Sequence, residues 1–280
     1  SEMRTRVTTA VALLLLVAAV LFSGSETVWV TFLAVLLALA ADEWTTLSGF
    51  RGLWWRALTV VFTLCVAASR YLGGMTAELP FALVIFVPLW IVGAGWMLSR
   101  PLQEIRGMAL AERWLSLLLG MVCLLALAEA LLQLYRIDIA VVLASMAVVW
   151  VSDSAAYFAG RRFGKRKLAP VTSPGKSWEG VWAALLAVAL MGMIWVMIAP
   201  THLPRLVIVS SLPSLAMVAL CVLAAMAGIS GDLVESRLKR VAGVKDSGRC
   251  LPGHGGVLDR IDALIPAMPV MAVAYAWVVQ

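Results

Sequence analysis

Residues 114–134 read WLSLLLGMVCLLALAEALLQL, a run whose one charge is Glu129. About 20 apolar residues in an α-helix cross roughly 30 Å of hydrocarbon. The run is continuous rather than alternating, and backbone groups in lipid need partners within their own segment, so it predicts a helix and not a strand. Working outward in both directions, polar breaks divide the chain into further apolar segments near 7–22, 28–41, 57–72, 81–98, 139–158, 181–199, 207–229 and 261–279. The expected fold is all-α, a polytopic integral membrane protein of about nine transmembrane helices. An N-terminal transmembrane half, 1–134, is followed by a C-terminal half, 135–280, that carries the chemistry on two polar loops, 159–180 and 230–260.

Composition agrees: of 280 residues, 62% are hydrophobic and 14% charged, with a mean hydropathy of +0.97. A soluble domain carries roughly 25% charge, so a soluble globule, a disordered chain and a nucleic-acid module are all excluded. The four cysteines, Cys65, Cys123, Cys221 and Cys250, share no metal-type spacing and read as inert packing residues. The run from Val7 to Phe22 follows Arg4 and Arg6 but lacks a small-residue cleavage pattern, so it reads as a retained helix. Met3 reads as the expected start, with Ser1 and Glu2 expected to be an added remnant.

Basic residues report topology in such a chain. With the N-terminus in the cytoplasm, only Arg70, Arg136 and Arg205 of the 22 Lys and Arg fall outside. The other 19 fall inside, which predicts cytoplasmic polar loops and an external C-terminus.

These loops are far richer in Gly, Pro, Ser and charge than anchoring demands. Asp153, near the cytoplasmic end of the sixth segment, shares a helical face with Tyr157 and Gly160; a carboxylate at that depth usually faces a polar cavity or a partner. The five cations among residues 161–167 serve orientation or contact anionic headgroups. After them, Ser173-Pro174-Gly175-Lys176-Ser177-Trp178-Glu179-Gly180 presents Lys176, Ser177 and backbone amides before a helix, an arrangement that suits phosphate. It is not a Walker A loop, because Pro170 stands where the first glycine would. In the last loop, a continuing helix would align Asp232, Glu235, Ser236 and Lys239, while Asp259 and Asp262 at i, i+3 share a face. Helix capping would account for one or two of these acids, but not for this density beside Lys239, Arg240, Lys245, Arg260 and the glycine-flanked His254. Carboxylates beside cations at a membrane surface suit metal-assisted phosphoryl or nucleotidyl transfer, since Mg²⁺ takes hard oxygen ligands and leaves positions for phosphate.

The string from Ser236 to Asp262, SRLKRVAGVKDSGRCLPGHGGVLDRID, closely resembles the signature of the bacterial phosphatidate cytidylyltransferases. The resemblance extends to Asp153-Ser154-Ala155-Ala156-Tyr157, to residues 164–170 and to residues 173–180. In the N-terminal half it is confined to hydropathy and a weak Glu43-Trp44…Leu47-Ser48-Gly49-Phe50 string. It implies a homodimeric enzyme of the bacterial inner membrane that converts CTP and phosphatidic acid to CDP-diacylglycerol and pyrophosphate with Mg²⁺; a second ion, monovalent or not, is left open. Carried onto this sequence, it makes Asp232 and Asp259 metal ligands with Asp246 next, and Asp153 an outer ligand or nucleotide contact. Asp232, Asp246, Asp259, His254 and Lys239 form the catalytic set. Lys176, Ser177, Arg240, Lys245, Arg260 and Tyr157 join Asp153 around the nucleotide. The alternatives are a CTP-dependent lipid kinase, a transporter, which would normally show repeats and broken helices at mid-membrane, and a lipid scaffold, which would not need the aspartates.

Overall fold

The computed structural model describes residues 2–72, 81–100, 108–202 and 214–279. Its helices are α1 (Glu2–Leu21), α2 (Glu26–Leu47), α3 (Leu53–Leu72), α4 (Phe81–Ser99), α5 (Leu110–Ile137), α6 (Ile139–Phe163), α7 (Trp178–His202), α8 (Ser214–Val241), a single turn α9 (Leu258–Ile261) and α10 (Leu264–Val279). A small antiparallel hairpin of β1 (Lys167–Ala169) and β2 (Ser173–Ser177) separates α6 from α7, pairing Lys167 with Ser177 and Ala169 with Ser173. Among the described residues, five helices are long and apolar enough to cross a membrane: α2, α5, α6, α7 and α8. Apolar parts of α1, α3, α4 and α10 are shorter. The chain is an all-α polytopic membrane protein.

The polar segments are shorter than the sequence suggests. Helix α6 runs on to Phe163 and α8 to Val241, so much of 159–180 and the first twelve residues of 230–260 are helix or hairpin. The reason is that i, i+4 backbone bonding does not stop where side chains turn polar; no proline or cap interrupts either helix at the membrane edge.

Helix α5 lies at the centre, with Cys123, Leu124, Leu127, Ala130 and Leu134 fully buried. It packs against α2, α10, α4 and α6. Two indoles anchor α2 to it: Trp29 Nε1 donates to the Leu131 carbonyl at 3.3 Å and Trp44 Nε1 to the Ser116 carbonyl at 3.0 Å. Gly120 lies directly under the Trp44 ring, where any Cβ would overlap it. Close approach at small residues is what holds helices together where lipid removes a hydrophobic drive. Outward faces stay apolar: on α7, Ala184 and Val188 are buried while Trp182, Leu186, Leu190 and Met197 are exposed, as lipid contact requires.

One end of the bundle collects the polar segments. Thr9 Oγ1 donates to the Pro252 carbonyl, Arg51 to the Ala242 carbonyl at 3.4 Å, and Arg240 to the Thr172 carbonyl at 3.4 Å. At another connection, Arg136 pairs with Glu26.

Candidate active site

The hairpin is set by its neighbours. Glu179, in the first turn of α7, accepts hydrogen bonds from the amides of Lys165 and Arg166. Ser177 is buried, and its Oγ accepts from the Gly180 amide at 3.3 Å. It packs against Gly160 and Gly164, where a side chain would collide with it. Ser177 thus faces the end of α6, and its neighbour Lys176 extends to α8, where its Nζ lies 2.6 Å from Asp232 Oδ2.

Two groups of acids flank α8. In the first, Asp232 is joined by Ser236, whose Oγ donates to Asp232 Oδ1 at 3.2 Å, and by Asp153 and Asp262, which interact with it through space. Gly231 lets the chain at Asp262 and Pro266 approach the helix backbone directly. Burial, then the negative charges of Asp232 and Asp153, push the Asp262 carboxyl above its ordinary range, and Lys176 only partly offsets them.

The second group is built on Lys239. Its Nζ is 2.6 Å from Glu235 Oε2 and 2.7 Å from Asp259 Oδ1. Asp259 Oδ2 accepts from the Ser247 amide at 3.0 Å and the Gly256 amide at 2.8 Å, and lies 3.0 Å from the Ser247 hydroxyl oxygen. Burial alone would raise the Asp259 carboxyl, but these donors prevail and bring it down to about 2. It stays ionised at neutral pH. The i, i+3 spacing suggests one face for Asp259 and Asp262, yet they engage different neighbours, because α9 is a single turn and the chain leaves it at Asp262.

The remaining candidates lie around these groups. Tyr157 is exposed and accepts from Arg161 at 3.3 Å. Arg260 donates twice to the His254 carbonyl, while His254 Nδ1 is buried without a hydrogen-bond partner among the described residues. Lys245 and Asp246 are exposed, with the Asp246 side chain beside Gly255, which sits at φ +82°. Among the described residues, no three acidic, histidine or cysteine side chains are grouped closely enough to hold a metal as they stand.

Against this geometry, the profile of the cytidylyltransferase family matches residues 4–278. The chain belongs to the cytidylyltransferase family. As a member it is a nucleotidyltransferase. It is 35% identical over 280 residues to a phosphatidate cytidylyltransferase of Pseudomonas aeruginosa, covering 98% of this chain and 97% of that one. A Brucella suis phosphatidate cytidylyltransferase is 31% identical over 95% of this chain and 91% of its own length. One from Haemophilus influenzae is 46% identical over 131 residues, 47% of this chain and 44% of the other.

One residue of the candidate site was not among those that the sequence singled out for the site. Glu43, on α2, is 6% exposed; its Oε1 accepts from the Val257 amide at 3.0 Å, and its Oε2 from the Leu258 amide at 2.9 Å and the Ser247 hydroxyl at 2.8 Å. The available signal was a carboxylate inside an apolar segment, which is expensive without a partner. Its neighbour Asp42 pairs with Arg56 at 2.5 Å, and only the weak string beginning at Glu43 sets the two apart in the sequence.

Proposed function

We propose that the chain transfers CMP from CTP to phosphatidic acid, forming CDP-diacylglycerol and releasing pyrophosphate. The observation that carries this reading is the meeting of Lys176 with Asp232 and of Lys239 with Asp259 on one helix, α8, at the polar end of an apolar bundle. The names of the Pseudomonas and Brucella relatives support the same reaction. An oxygen of the lipid phosphate attacks the α-phosphorus of CTP in line; the bond from that phosphorus to the β-phosphate oxygen breaks, and pyrophosphate leaves with its electron pair. A phosphate monoester has a second pKa near 6, so the attacking oxygen is largely deprotonated at neutral pH. Little general-base help is needed. The chain's work is then positioning and charge neutralisation, with Lys176, Lys239, Arg240, Lys245 and Arg260 holding phosphates and His254 orienting them. Asp153 and Tyr157 border the nucleotide, and Ser177 fixes the lysine-bearing strand.

Mg²⁺ fits the chemistry of the carboxylate donors without a ready-made cluster of three acids among the described residues. It commonly uses one or two carboxylates with water and phosphate completing its shell, and Asp232, beside Lys176 and within electrostatic reach of Asp153 and Asp262, supplies hard oxygen. Asp232 heads the proposed ligands. Asp246 is exposed and accessible, whereas Asp259 would exchange a hydrogen bond from Lys239 or Ser247 for the ion. When bound, the cation would neutralise charge on the triphosphate and its leaving group.

Incubating purified protein with CTP and phosphatidic acid tests the reading. Lipid that gains CMP, with pyrophosphate released, supports it. Lipid that gains only phosphate makes the chain a CTP-dependent lipid kinase; unaltered lipid and CTP overturn both. The wider setting proposed is the bacterial inner membrane, as a homodimer with its N-terminus and polar end cytoplasmic. The distribution of 19 of 22 basic residues supports that orientation. Cys250 is exposed, so a membrane-impermeant thiol reagent should label it only from the cytoplasmic side, and cross-linking should yield dimers.

A further inference from the structure

We propose that Glu43 is a positioning residue of the transferase, acting through Ser247 on Asp259 and Lys239; the inference rests on the cytidylyl-transfer reading above. Glu43 is surrounded on α2 by buried apolar residues, including Ala40, Ala41, Trp44 and Leu47. Both its oxygens are nevertheless committed to a segment more than 200 residues away. The fit is close: a Cβ on Gly248 or Gly256 would run into the Glu43 carboxylate.

A bland role exists, in which Glu43 merely satisfies the amides of Val257 and Leu258. Ser247 argues for more. Its hydroxyl carries one hydrogen, yet it lies 2.8 Å from Glu43 Oε2 and 3.0 Å from Asp259 Oδ2. Glu43 therefore holds the Ser247 side chain and residues 257 and 258, while Ser247 and the adjoining Gly256 amide hold Asp259 Oδ2. The other Asp259 oxygen holds Lys239 Nζ at 2.7 Å. A displacement at Glu43 is passed along this sequence to the ammonium that meets phosphate. Replacing one carboxylate oxygen by an amide, as in Glu43→Gln, turns an N–H toward either the Val257 or the Leu258 N–H and strips one of them of its acceptor.

The test measures kcat, KM for CTP and thermal midpoint in detergent for Glu43→Gln, Glu43→Asp, Ser247→Ala and the double variant Glu43→Gln/Ser247→Ala. Misplacement of reacting groups by about 1 Å can lower turnover roughly 100-fold, so Glu43→Gln is expected to lose about 30-fold in kcat with KM for CTP within about twofold. Ser247→Ala alone should lose about tenfold, and in the Glu43→Gln background less than about threefold, because coupled residues are non-additive. Glu43→Asp, which keeps the charge, should regain part of the activity. Turnover of Glu43→Gln within twofold of wild type, or full multiplication of the two losses, overturns the proposal. Should Glu43→Gln not fold, Ser247→Ala decides, since it leaves both backbone amides on Glu43; unchanged kcat there overturns the proposal too. Wild-type protein that transfers no CMP defeats the cytidylyl-transfer reading, whereas active wild type with indifferent variants defeats only the role of Glu43.

Discussion

The acids on either side of α8 are held in opposite ways. Asp153, Asp232 and Asp262 repel one another around one lysine, Lys176. Glu43, Glu235 and Asp259 also have one lysine, Lys239, but Ser247 and the amides of residues 247, 256, 257 and 258 supply further donors. Carboxylates of the same type thus differ by their donors: the first group is short of them, whereas Glu43 and Asp259 in the second commit their oxygens to the segment from Ser247 to Leu258.

The comparison breaks most visibly at Asp232. Asp232→Asn should lower kcat about 10³-fold, the upper range for losing one electrostatic group, and the rise in thermal midpoint that Mg²⁺ is expected to give wild type should be absent; retention of that shift would remove Asp232 from the proposed cation site. In the second group, Gly256→Ala pushes a methyl into the Ser247 hydroxyl and the Glu43 carboxylate. Its expected loss is about 10²-fold in turnover, accompanied by a lower midpoint. The lysines should separate the groups by stability. Lys239→Met removes the ion-pair partner of the buried Glu235 and should destabilise by about 3 kcal/mol, while Lys176→Met, at a partly exposed pair, should change stability by about 1 kcal/mol or less. Denaturation in detergent measures both, and equal losses would erase the distinction. The smallest effect is expected from Ser236→Ala, which removes one hydrogen bond to Asp232 and should reduce activity about threefold, the equivalent of roughly 0.6 kcal/mol.

Much of the molecule was readable before its fold was known. The apolar segments largely coincide with helices, residues 207–213 of the eighth lying outside the described residues and the ninth beginning across the break after α9. The alignment of Asp232, Glu235, Ser236 and Lys239 follows from 3.6 residues per turn: Ser236 reaches Asp232 and Lys239 reaches Glu235, each at i, i+4. Lys176 was singled out as a phosphate-binding cation, but its pairing with Asp232 depends on the reach of the hairpin. Asp259 and Asp262 share helical spacing, yet the break after α9 sends them to different partners. Glu43 stood out only through a weak string in the N-terminal half, because its partners stand at residues 247, 257 and 258.

Hydropathy and helical periodicity act over tens of neighbouring residues, so the chain's character as a membrane-embedded helical protein with two polar segments was legible from its residues alone. Family membership was legible in the same way, from contiguous motifs. Which acids oppose Lys176, which oppose Lys239, and that α2 reaches the candidate site through Glu43 came only from the folded arrangement. Those assignments depend on side chains distant in the chain meeting within about 3 Å, where a hydrogen bond exists or does not.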